Sequence, residues 1–139
     1  MIDVELLKPK IAEAGKKHNL KLVVLYGSQA RGKAKKGSDI DVAVLGEKPL
    51  SFEEVVDLIN EFADIFKVRE MDVKSLHKTS PFFLYQVVKN GILLYGDEHE
   101  YNLFKLYAIR SFQEGKKFRN LRDVLLKKRA DHLKKIYVR

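Results

Sequence analysis

The stretch from Asp39 to Leu45, Asp-Ile-Asp-Val-Ala-Val-Leu, constrains this chain more than any other. Read as a β-strand, it turns Ile40, Val42 and Val44 to one side and Asp39, Asp41, Ala43 and Leu45 to the other. Apolar residues on both sides require a sheet covered on both faces, yet one face opens with two carboxylates at i and i+2, their Cα atoms roughly 6.5–7 Å apart. Charges that close repel unless a cation lies between them, and Mg²⁺, which prefers oxygen ligands and commonly takes one or two carboxylates with substrate phosphates, suits the pair.

A second apolar run, Leu20 to Tyr26, ends at Gly27-Ser28, and ten residues then separate Ser28 from Asp39. A short helical turn starting near Gln29 would leave backbone N–H groups unpaired at that bend, where an anion can be received. Arg31, Lys33, Lys35 and Lys36 fill the connection and can neutralise phosphate charge. Taken singly, a Gly-Ser bend is a turn and an Asp-x-Asp is a solvated strand end. At this fixed separation, Gly-Ser-x(10)-Asp-x-Asp describes a polyphosphate seated on the bend and joined to the aspartates by divalent metal.

Around that segment the pattern predicts a helix over Val4–His18, with Pro9 as a kink or first-turn residue, and a helix opened by Ser51, Glu53 and Glu54 that buries Phe52, Val55, Val56, Ile59, Phe62, Ala63 and Phe66. It predicts a strand in Lys67–Leu76, a helix capped by Ser80-Pro81 and ended at Gly91, and a strand at Ile92–Tyr95. Two further helices are expected, from Glu98 to about Gly115 and over Arg119–Ile136. The sum is an α/β (α+β) fold, a small mixed β-sheet covered by helices: a core over residues 1–100 and a basic helical extension over 101–139 in the same domain.

At 139 residues, 45% of them hydrophobic and 33% charged, the chain has the composition of one globular domain. It has no cysteine, which excludes disulfides and thiolate chemistry. No apolar run suits a membrane helix, and a cytoplasmic location is expected. The net charge of +8 lies wholly in residues 116–139, where ten Lys/Arg face two Asp. This tail reads either as a helix for an acidic partner surface or, less favoured, as an arm for nucleic-acid phosphates; packing on its own domain is the third reading. The four histidines show no mutual spacing that suggests a metal site.

Gly27-Ser28, Ala30-Arg31-Gly32, Ser38-Asp39-Ile40-Asp41 and Val42-Ala43-Val44 together resemble the minimal nucleotidyltransferase (MNT) domain of the DNA polymerase β-like superfamily. The resemblance is strongest to the antitoxin half of HEPN/MNT toxin–antitoxin pairs. It implies a polymerase β-like nucleotidyltransferase fold in which Gly27 and Ser28 hold the β- and γ-phosphates of ATP and Asp39 and Asp41 ligate two Mg²⁺ ions. A third carboxylate is expected on a later strand; Asp72 is favoured, with Glu70 on the same strand face as the alternative. Arg31 and Lys33 would stabilise the departing pyrophosphate. The implied reaction transfers AMP from ATP to a tyrosine of a partner HEPN ribonuclease. An RNA or small-molecule acceptor, or a catalytically silent antitoxin acting by occlusion, are the competing readings.

Overall fold

The computed structural model describes residues 3–30 and 40–137. Elements follow in the order α1 (Val4–Lys17), β1 (Leu20–Tyr26), α2 (Gly27–Ala30), β2 (Ile40–Gly46), α3 (Phe52–Phe66), β3 (Met71–Ser75), α4 (Pro81–Lys89), β4 (Ile92–Tyr95) and α5 (Glu98–Tyr137). The four strands form one mixed sheet in the order β3-β2-β1-β4. β1 runs antiparallel to both β2 and β4, whereas β2 and β3, joined through α3, are parallel.

Each face of the sheet has its own apolar layer. Ile40, Val42 and Val44 of β2 and Met71 and Val73 of β3 pack with Ile11 and Ala14 of α1 and Leu58 and Phe62 of α3. The opposite layer joins Leu22, Val24 and Ala43 to Leu84, Val87 and Val88 of α4 and Tyr101 and Ala108 of α5. The alternation expected of β2 therefore holds. In β1 the register shifts between Leu20 and Leu22, and this bulge puts Leu20 in the first layer but Leu22 and Val24 in the second. Tyr26, two residues beyond Val24, joins the second layer as a consequence.

Local signals explain the helix ends. Ser51 and Glu54 form a reciprocal capping box at the start of α3, and Ser80 accepts from Phe83 N with Pro81 in the first turn of α4. Three expectations need correction. The buried line of α3 runs through Leu58 and Phe62, while Phe52 is 83% exposed and Val56 faces outward, because the layer beneath is narrow and only one stripe of the helix meets it. β3 is shorter than Lys67–Leu76: Lys67 caps α3 in the left-handed region at φ 56°, so the chain is still turning before Met71.

The two C-terminal helices are one, running through Gly115. A helical glycine costs about 1 kcal/mol relative to alanine, too little to break a helix flanked by Gln113, Glu114, Lys116 and Lys117. Beyond the core contacts of its first turns, α5 exposes Leu121, Leu125 and Leu133, so this stretch does not pack on its own domain. Among the described residues no helix is long and apolar enough to cross a membrane.

Candidate functional site

Strand register brings three polar side chains into one row. Tyr26, the last residue of β1, pairs with Asp41 of β2, and Asp41 pairs with Asp72 of β3. Neighbouring strands lie about 4.8 Å apart, so the two carboxylates stand side by side. Ile40, Val42, Met71 and Val73 belong to the α1/α3 layer, and alternation turns Asp41 and Asp72 to the other face, the one that receives Tyr26. Both aspartates are partly exposed.

The bend expected to seat phosphate adjoins this row. β1 passes directly into the single turn of α2 at Gly27, whose φ of +77° lies in the left-handed region that glycine tolerates. A methyl group built there would stand 2.5 Å from Asp41 Oδ2, so the carboxylate sits directly over the glycine. Two separate demands, a turn geometry and a close approach, therefore fall on one residue. Ser28 follows within α2.

Three neighbours that sequence reasoning did not assign complete the surroundings. Lys74 Nζ lies 3.6 Å from Asp72 Oδ2, both side chains about half exposed, and 5.5 Å from the centre of the Phe83 ring. Phe83 meets Tyr26 edge to face, with ring centres 5.8 Å apart. Burial, and then the charges of Asp41 and Asp72, push the Tyr26 phenol well above the ordinary tyrosine range. The Tyr26 phenol therefore keeps its proton within electrostatic reach of both carboxylates. Lys74 was legible as the residue two beyond Asp72 on the same strand face; Tyr26 was not, because its place beside Asp41 depends on the β1–β2 register.

Asp39, Arg31 and Lys33 lie outside the described residues. Glu70, the alternative to Asp72, precedes β3 and is exposed, whereas Asp72 lies inside the strand in register with Asp41. Among the described residues no cluster of three or more potential ligands occurs. Asp41 and Asp72 nevertheless form an all-oxygen pair that suits a hard divalent cation, with room for substrate oxygens and water. His18 and His77 serve the fold: His18 Nε2 contacts Glu61 Oε2 at 2.6 Å, tying α1 to α3, and His77 Nε2 lies 2.9 Å from Gly46 O.

A mixed sheet layered by helices, with a glycine bend beneath one carboxylate of a pair on adjacent parallel strands, is the arrangement of a small nucleotidyltransferase. The family described as "Polymerase beta, Nucleotidyltransferase" matches residues 9–100, and the chain belongs to that family. It is 31% identical over 94 residues, 68% of this chain and 67% of the relative, to protein adenylyltransferase MntA of Shewanella oneidensis. Among solved structures it is similar to a chain of a toxin–antitoxin complex with AMP-PNP, with 27% identity, a TM-score of 0.70, and coverage of 85% of this chain and 98% of that one. A chain of the complex of tri-AMPylated Shewanella oneidensis HEPN toxin with MNT antitoxin matches with 25% identity, a TM-score of 0.66, and coverage of 88% and 98%.

Proposed function

We propose that this chain is an MNT antitoxin that transfers AMP from ATP to a tyrosine hydroxyl of a partner HEPN ribonuclease toxin and so neutralises it. The observation that carries the reading is the Asp41–Asp72 register pair with the Asp41 carboxylate resting on Gly27. Likeness to an adenylyltransferase and to chains of toxin–antitoxin complexes, one with AMP-PNP and one with an AMPylated toxin, supports the choice of nucleotide and partner.

Asp39, Asp41 and Asp72 would hold two Mg²⁺ ions, and such ions, when bound, supply Lewis-acid neutralisation of phosphate charge. Gly27 and Ser28 receive the β- and γ-phosphates, and Gly27 lets the backbone approach them without a side chain in the way. The protonated Tyr26 phenol adds no negative charge to the row it shares with Asp41 and Asp72. The acceptor tyrosine oxygen bonds to the α-phosphorus as the bond from that phosphorus to the bridging oxygen breaks, and pyrophosphate departs. Its phenolic proton passes to the Asp72 carboxylate, and Arg31 and Lys33 neutralise the leaving group.

The test is transfer of label from α-labelled ATP, with Mg²⁺, to the product of the adjacent open reading frame, expected to be a HEPN protein. Asp41→Asn and Asp72→Asn are each expected to lower the rate by about 10²–10³-fold, the scale of removing one electrostatic stabiliser of a transition state. Label that persists at the wild-type rate in both variants overturns the assignment. Neutralisation of the toxin with no label in the wild type would establish occlusion instead.

A further inference from the structure

The row of side chains has two ends. At one, Gly27 lies under Asp41; at the other, Asp72 stands on β3, the edge strand of the sheet among the described residues. Resting on the reading above, the triphosphate occupies the Gly27 end. Displacement at phosphorus places the attacking and departing oxygens in line, so an acceptor must arrive from the opposite end, across Asp72.

A depression of about 420 Å³ opens there, lined by Lys74, Ser75, Thr79, Ser80 and Phe83. Its size falls within the range of about 300–1,000 Å³ usual for small-molecule sites, large enough for one aromatic side chain. Its three hydroxyls are engaged with the loop backbone: Ser75 Oγ accepts from His77 N at 3.2 Å, Thr79 Oγ1 donates to Leu76 O at 3.3 Å, and Ser80 Oγ accepts from Phe83 N at 3.2 Å. Ser75 and Ser80 keep their O–H donors, and the rest of the recognition chemistry at its surface is an aromatic ring and an ammonium. Phe83 is braced from behind by its edge-to-face contact with Tyr26, so its ring is a fixed wall. Lys74 reaches both that ring and Asp72, on a side chain that is about half exposed and has room to swing.

We infer that this depression is the acceptor subsite, taking a tyrosine that is flanked by acidic residues. The incoming ring packs on Phe83 with its hydroxyl toward Asp72. The Lys74 ammonium leaves Asp72 for a carboxylate of the acceptor segment, so that seating the acceptor also uncovers the carboxylate that receives its proton. Specificity for the protein substrate thus resides in Lys74 and Phe83, at the end of the row away from the phosphate seat.

Initial rates of AMP transfer to the HEPN partner, with acceptor and ATP varied independently, test this in the full-length chain. Lys74→Met is expected to raise the acceptor KM by about three- to five-fold, as for loss of an exposed ion pair, and Phe83→Leu by about ten-fold, as for loss of an aromatic contact. The KM for ATP should stay within two-fold in both, and Lys74→Arg should restore the acceptor KM. Raising ionic strength should increase the wild-type acceptor KM and leave that of Lys74→Met nearly unchanged. Circular dichroism checks that Phe83→Leu is folded, and Lys74, on the surface, gives an independent reading should it not be. If Asp41→Asn abolishes transfer while Lys74→Met and Phe83→Leu leave the acceptor KM within 1.5-fold of wild type, the subsite is refuted and the nucleotidyl-transfer reading stands. If Asp41→Asn transfers AMP normally, that reading fails and takes the subsite with it.

Discussion

Replacing Gly27 with alanine separates what the bend does for folding from what it does for chemistry. The φ of +77° costs an L-residue about 1–2 kcal/mol, which for a domain of this length lowers Tm by roughly 3–8 °C. The new methyl group would also stand 2.5 Å from Asp41 Oδ2, whereas comfortable carbon contacts begin near 3.5 Å, so the carboxylate must withdraw by about 1 Å. A displacement of that size at a reacting centre costs about 10²-fold in rate. Gly27→Ala is therefore expected to be a folded protein with AMP transfer lowered about 100-fold. Thermal denaturation and the labelled transfer assay measure the two effects separately. Ile65→Val, in the apolar layer on the other side of the sheet, is a control of similar stability loss and should keep nearly full activity. If Gly27→Ala transfers AMP at more than half the wild-type rate, Asp41 does not act from its position over the glycine.

Tyr26 and Tyr101 both hold their protons above the ordinary tyrosine range, the first through burial and then the nearby aspartates, the second through burial. Unfolding releases them to the ordinary value near 10.0, so above that pH the unfolded state gives up protons first and stability falls as pH rises. Urea unfolding between pH 9 and 11.5 should show this decline, and Tyr26→Phe and Tyr101→Phe should each flatten it. Gly115→Ala should stabilise α5 by about 1 kcal/mol and slow amide hydrogen exchange around residues 110–120, with AMP transfer unchanged. Unaltered exchange there would mean that helix propensity does not limit the stability of that stretch.

Sequence pattern was a reliable guide wherever one rule acted alone. The alternation of β2 assigned Ile40, Val42 and Val44 to one layer and Ala43 and Leu45 to the other, and Ser51 and Ser80 marked true helix starts. It was weaker where two rules competed. Gly115 and its neighbours favour different states, and only the balance of propensities, which keeps the helix intact, decides between them. Phe52 carries an apolar side chain at helical spacing but has nothing to pack against, which periodicity by itself does not reveal. At the candidate site, the proximity of Gly27 to Asp41 followed from the spacing of the opening motif. The bracing of Phe83 by Tyr26 did not, since it needs both the strand pairing that sets the face of Tyr26 and the placement of α4 on that face.

Among the described residues, the order β3-β2-β1-β4 puts Asp41 on one inner strand and Gly27 just past the end of the other, and Asp72 with Lys74 on an outer one. Inner strands resist change because any shift must be accommodated by two partners; an outer strand and the loop after it answer to one. A scaffold divided in this way can keep its grip on the nucleotide constant while its margin is remodelled for one recipient after another. On the nucleotidyl-transfer reading, change at that margin would alter whom such a protein modifies before it alters what is donated.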